Sequence, residues 1–284
     1  MEQNEGDSNY IILELKDGKA IRTHRNDLSA AGDYFSTLLN CDMLESREGI
    51  IRLQDITETA MKSVLEFMRS GNVKINEDNA KELFEVADYF LLPSLKKVAG
   101  NFLIHNLSPS NCISSYYLGE KYQFEELLVC SKLYIFPNFA AVAETQEFLN
   151  LESQQVEQWI CSDEISVCSE DDIFKIILDW IEQNPIERKE KFEELFRHLR
   201  LKFVSRDYMR KRVMTYELVK MNSSCLRLVL DVKNRTYESQ PPRRGTVANK
   251  NNNEARKFAC SAIFYLILLA TLITFFAIMA LHHI

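Results

Sequence analysis

The sequence predicts an α+β module, a small sheet flanked by helices, followed by an all-α domain and a single C-terminal transmembrane helix. Three observations lead there. Residues 11–23 alternate apolar and polar side chains around an Asp-Gly pair, the pattern of a hairpin. From Thr57 onward the apolar residues recur at helical spacing. Between Phe258 and Leu281 there is no Lys, Arg, Asp or Glu.

In chain order, Ile11, Leu13 and Leu15 alternate with Ile12 and Glu14, and Asp17-Gly18 supplies the turn into a second strand, Lys19 to Thr23. A short helix follows with Leu28, Ala31, Phe35 and Leu38 on one face, then a loop around Met43, then a strand from Ile50 to Leu53. Thr57 is an N-cap for a helix that buries Met61, Val64, Leu65 and Met68 and closes at Gly71. Asn76 caps the next helix, with Leu83, Val86, Ala87 and Phe90 inward. Pro93 then starts another, with Leu95, Val98 and Phe102 inward. These elements make a first domain over 1–107.

Ser108-Pro109, an N-cap followed by proline at the first helical position, opens a wholly helical domain over 108–232. Ser169 with Asp172 forms a capping box before a helix that buries Ile173, Ile176, Ile177 and Trp180 and stops at Asn184-Pro185. Leu195, Leu199 and Phe203 continue that core.

Residues 233–257 read as a basic linker. Seven basic residues there (Lys233, Arg235, Arg243, Arg244, Lys250, Arg256 and Lys257) face Glu238 and Glu254, a net of +5 that leaves −12 for the body out of a total of −7. From Ser239 to Asn253 the composition is too polar and too rich in Pro and Asn to pack, which predicts a flexible tether. The 24 residues 258–281 would make a helix of roughly 36 Å, enough to span a bilayer core of about 30 Å. Ser261, Tyr265, Thr271 and Thr274 are its only polar interruptions. The basic flank before the span keeps the N-terminal body cytosolic, and only residues 282–284 follow, so insertion is expected to be of the tail-anchored kind. The polar, acidic start, residues 1–9, lacks the features of a secretory signal. The sequons at Asn106, Asn222 and Asn234 are therefore expected to stay unglycosylated.

Composition narrows the function. An acidic body repels nucleic acid. The seven cysteines, Cys41, Cys112, Cys130, Cys161, Cys168, Cys225 and Cys260, include no CxxC pair and read as reduced thiols. Eight glycines in 284 residues, with no phosphate-cradling pattern and no GxSxG elbow, offer nothing to a cofactor. His24, His105 and His198 are isolated in sequence. The acid clusters Glu170-Asp171-Asp172 and Glu193-Glu194 sit where helix starts and solvated faces favour negative charge. No catalytic residue, cofactor or metal site is expected, and the chain reads as a protein other than an enzyme.

The body resembles the BTB/POZ and BACK domains of kelch-like proteins. The BTB likeness rests on HRNDL at His24–Leu28, Tyr34-Phe35, MLES at Met43–Ser46, LQDI from Leu53, VLEFMRSG from Val64 and ADYFLLPSL from Ala87. The BACK likeness rests on LSPSNC from Leu107, Phe148–Leu151, the run from Ser162 to Glu190, and LRLKFVS from Leu199. Together they cover roughly residues 10 to 230, in the family's order. The resemblance implies an adaptor that binds cullin 3 and brings a substrate protein to a RING ubiquitin ligase. It places the cullin contact at Met43, Leu44 and Glu45, with Tyr89 as a second contact. A pliable methionine as plug and a glutamate as charged acceptor suit that task. Met43 packed into its own domain is the alternative. The family's pattern is not followed everywhere. Nine residues precede the first strand where kelch-like proteins carry a helix that swaps between protomers, so homo- or heterodimerisation through BTB is weakened. Arg25 is present, but Tyr10 or Ile11 stands where the family has its partner Asp, and no kelch repeat follows residue 232. The rival to a membrane-tethered ligase adaptor is a scaffold or decoy that pairs with other BTB proteins or sequesters cullin 3.

Overall fold

The computed structural model describes residues 9–29, 32–40, 47–234 and 241–243 and divides the chain into two units. The first runs to Asn106 and takes in Leu118–Leu127; the second holds Leu107–Tyr117 and the chain from Leu128 onward.

The first unit is built on a three-stranded sheet with β1 (Tyr10–Leu15) between β2 (Ala20–His24) and β3 (Ile50–Leu53). β1 pairs antiparallel with β2, with Leu13 opposite Ile21, and parallel with β3, with Leu13 opposite Ile51. The tight hairpin forms because Gly18 takes a left-handed φ of 69°, which lets the Leu15 N–H reach the Lys19 carbonyl at 2.7 Å. Parallel pairing requires a crossover, and α1 (Arg25–Ser29) and α2 (Asp33–Asn40) lie in that connection. Ile11, Leu13, Leu15, Ile51 and Leu53 are buried on one face of the sheet, each side chain contributing on the order of 1.5–3 kcal/mol.

The single short helix expected after the hairpin is two. α2 starts its own phase at Asp33, so Leu28, Phe35 and Leu39 are the buried positions and Leu38 is only half-buried. Ala31 lies outside the described residues. α3 (Glu58–Ser70) has the expected ends: Thr57 Oγ1 accepts from the Ala60 N–H at 3.2 Å, and Gly71, at φ 71°, donates to the Phe67 carbonyl. Leu65 and Met68 are half-buried, beside the fully buried Met61 and Val64. Before α4 (Ala80–Tyr89), Asn76 and Asn79 bond reciprocally through side chain and backbone at 2.8 and 3.0 Å. In α5 (Pro93–His105) the inward face is Leu95, Ala99, Gly100 and Ile104, while Val98 is exposed and Phe102 half-buried. The reason is local. A Cβ on Gly100 would sit 2.6 Å from the Phe124 ring, so the missing side chain is what lets that ring close on the helix.

Among the described residues, the regular elements of the second unit are all helices. α6 (Cys112–Lys121) and α7 (Glu125–Ile135) each contribute residues to both units. They are followed by α8 (Phe139–Ala143), α9 (Gln146–Leu149), α10 (Ser153–Ile160), α11 (Glu170–Gln183), α12 (Pro185–Arg188) and α13 (Phe192–Phe196). α14 (Arg206–Tyr208) runs into a π-helical turn at Met209–Val213, and α15 (Glu217–Met221) and α16 (Ser223–Lys233) complete it. The Ser169–Asp172 capping box is formed and α11 buries Ile173, Ile176, Ile177 and Trp180 as the periodicity requires. The Trp180 indole donates to the Leu151 carbonyl at 2.8 Å, and the Arg188 guanidinium lies 4.2 Å from the centre of its ring. Leu195 and Leu199 join this core but Phe203 does not, because Leu201 and Val204 take the inward positions of the turn instead.

The tether reading of 239–253 is corrected at Pro241–Arg243, where the chain is seated on the helical unit and Arg243 is fully buried. A buried partner of opposite charge outweighs the local polarity that predicted a free segment. The span 258–281 lies outside the described residues, and among the described residues no helix is long and apolar enough to cross a membrane.

Candidate functional site

Two places in the structure combine unusual exposure or burial with specific chemistry. The first is where α4 ends. Tyr89 is 55% exposed and Leu91 66% exposed, and Tyr89 stands on an aromatic base that is largely buried. Phe35 and Phe90 stack with centroids 4.7 Å apart, Tyr34 packs edge-on against both at 5.1 and 5.2 Å, and the Tyr34 hydroxyl donates to that of Tyr89 at 3.2 Å. Aromatic pairs in this geometry fix ring orientation. The helix terminus is equally determined: Leu91 sits at φ 55°, its N–H bonds the Asp88 carbonyl at 3.0 Å, and the Leu92 N–H bonds the Ala87 carbonyl at 2.8 Å. This is a left-handed helix cap of the kind glycine normally supplies. A bulky residue there costs about 1 kcal/mol or more of backbone strain, yet its side chain points to solvent.

Tyr34 belongs to α2, the helix that leads toward Met43, Leu44 and Glu45. Those three residues lie outside the described residues, so only Tyr89 of the four predicted contacts is placed. The Arg25 guanidinium holds the last turn of α2 through the Leu39 carbonyl at 3.3 Å. Leu91 was missed by sequence reasoning. Its signal was the absence of a glycine between a clear helix and Pro93, in Tyr89-Phe90-Leu91-Leu92-Pro93.

The second place is a buried charge cluster in the helical unit. Glu170 was read as solvated; it is 1% exposed and pairs with Arg243, Nε to Oε1 at 2.7 Å. Arg243 also donates to the carbonyls of Ile160 (2.5 Å), Ser162 (2.8 Å) and His198 (3.2 Å), and a terminal nitrogen reaches Glu170 Oε2 at 3.5 Å. Beside it, the buried Arg200 pairs with Asp163, donates to the Pro241 carbonyl at 2.7 Å, and gives its backbone N–H to Glu170 at 3.2 Å. Burial draws the Arg243 pKa down while the Glu170 carboxylate opposes that. Asp171, by contrast, accepts from the Ser205 backbone N–H and hydroxyl, 34 residues on.

The buried thiols Cys112 and Cys225 are structural. Burial pushes Cys112 up to about 12, with the Glu147 carboxylate adding to it, and Cys225 up to about 11; such thiols are poor nucleophiles at neutral pH. Cys161 and Cys168 are exposed, and Cys41 and Cys260 lie outside the described residues. Among the described residues no three His, Cys, Asp or Glu side chains converge as metal ligands.

Comparison with known proteins bears on both units. The BTB/POZ domain family matches residues 3–107, and the family described as BTB And C-terminal Kelch (BACK) matches residues 112–214. Kelch-like protein 11 of Homo sapiens is 34% identical over 224 residues, and that of Mus musculus 33% identical over 224; in each case the match covers 77% of this chain and 32% of the relative. The chain thus spans about a third of the length of these curated relatives. Among solved structures, the BTB (Tramtrack and Bric a brac) domain of human Gigaxonin matches at 32% identity, covering 35% of this chain and 80% of that one, with a TM-score of 0.29.

Proposed function

We propose, from the matches to the BTB/POZ domain family over residues 3–107 and to the BACK family over residues 112–214, that the chain is a protein-interaction adaptor for a cullin 3 RING ubiquitin ligase. It recruits a substrate rather than transforming one. The observation that carries this reading is the end of α4: Tyr89 stands exposed on a rigid aromatic base, with the exposed Leu91 two residues on, beside the helix that leads to Met43–Glu45. Side chains held in this way lose little freedom on binding, which concentrates affinity in few residues. In this reading Met43 fills an apolar hollow in the cullin, Glu45 orients it, and Tyr89 and Leu91 widen the contact. The 258–281 segment anchors the adaptor in a bilayer with the body in the cytosol, so its substrates are proteins of that membrane or close to it.

The test is a quantitative pull-down of the full chain, in detergent, with an N-terminal fragment of cullin 3. Wild type should be retained, Met43→Ala with Glu45→Ala should abolish retention, and Tyr89→Ala with Leu91→Ala should weaken it by at least tenfold. A folded wild-type chain that fails to bind cullin 3 overturns the ligase reading in favour of a scaffold that pairs with other BTB proteins.

A further inference from the structure

The seat that holds Arg243 is assembled from parts that the helical unit fixes for other reasons. The Ile160 carbonyl ends α10, Ser162 follows it, Glu170 is the first residue of α11, and His198 comes just after α13. Carbonyls at helix ends lack intrahelical partners and carry partial negative charge, to which Glu170 adds a full one. The seat therefore attracts a cation whether or not one is present. Its geometry goes further. Nε and both terminal nitrogens of Arg243 are engaged at once, in a planar fork that a lysine ammonium cannot reproduce.

The residues before the arginine fit the same purpose. Arg200 holds the Pro241 carbonyl at 2.7 Å, and two consecutive prolines restrict the segment to few conformations, so little entropy is lost when it docks. The local sequence Gln240-Pro241-Pro242-Arg243 is thus a short peptide ligand, joined covalently to the domain that reads it.

We propose that Glu170 and the carbonyls of Ile160, Ser162 and His198 form an arginine-specific peptide-binding site on the helical domain, occupied in cis by Pro241–Arg243, and that a Pro-Pro-Arg segment of another protein takes the same seat when the chain's own arginine is withdrawn. Covalent linkage gives the cis segment an effective concentration in the millimolar range. A peptide in trans is thereby excluded from the resting chain and admitted once the cis arginine is gone.

The experiment uses the full chain in detergent and a fluorescein-labelled peptide copying residues 238–246, read by fluorescence polarisation. The Arg243→Gln chain should bind the peptide at least tenfold more tightly than wild type does. The same peptide with lysine in place of the first arginine should lose at least tenfold, and Glu170→Gln added to Arg243→Gln should remove binding. A folded Arg243→Gln chain that ignores the peptide, or one that accepts lysine equally, overturns the proposal. Should Arg243→Gln not fold, trypsin decides. Cleavage after Arg243, followed by mass spectrometry, should be at least tenfold faster in Glu170→Gln than in wild type, with the bond after Lys175 inside α11 uncut in both. Equal rates would mean that the arginine is not seated.

Discussion

Arg243 and Glu170 are 0% and 1% exposed, and 73 residues of chain separate them. Removing one member of a buried pair leaves an uncompensated charge, at about 3–5 kcal/mol, whereas replacing both with apolar groups is close to neutral. Arg243→Met and Glu170→Met should each lower stability by about that amount, and the double variant should recover most of it. The chain's two tryptophans, Trp159 and Trp180, both lie in the helical unit, so their fluorescence in a urea titration reports that unit alone; simple additivity would mean that the two residues do not act together. Neither residue announced this in the sequence. Glu170 stands at N1 of a helix, where an acid is ordinarily explained by the dipole, and Arg243 stands among prolines and asparagines. The capping role of Asp172 was legible because both halves of that box lie three residues apart; a contact across 73 residues has no local pattern.

At the scale of elements, what could be read was what repeats. The hairpin and the α11 core follow from periods of two and 3.6, and Thr57, Gly71 and Ser169 cap where their types predict. The errors came where phase is reset or where a neighbour decides. The interruption between α1 and α2 moved burial from Leu38 to Leu39, and Val98 was turned outward because Phe124 lies on the other side of α5. Gly100 makes that arrangement possible. Alanine usually stabilises a helix interior by up to about 1 kcal/mol relative to glycine, but here its Cβ would meet the Phe124 ring at 2.6 Å. Gly100→Ala should therefore destabilise the first unit by about 1–3 kcal/mol in thermal or urea unfolding, and a gain in stability would show that the ring moves aside freely.

For the whole molecule, the order of an α+β unit and then a helical one was legible from composition and period, and both units are present as expected. The proposed cullin contact was legible only by resemblance, and three of its four residues lie outside the described residues, leaving Tyr89, with the unforeseen Leu91, as the structural part of that face. Membrane tethering by 258–281 has a direct test in the sequons. In a translation reaction with microsomes, Asn106, Asn222 and Asn234 should remain unmodified while a sequon appended after Ile284 gains a glycan; an endoglycosidase-sensitive shift at any of the three would place the body on the lumenal side. The seating of Arg243 also bears on kinetics. Closing so long a loop is entropically costly, so this contact is expected to form late, after the intervening helices condense. Interactions absent from the transition state act on the unfolding rate. Arg243→Met should therefore leave the refolding rate almost unchanged and speed unfolding in stopped-flow tryptophan fluorescence, as expected of a late-closing latch that prolongs the lifetime of the folded helical unit.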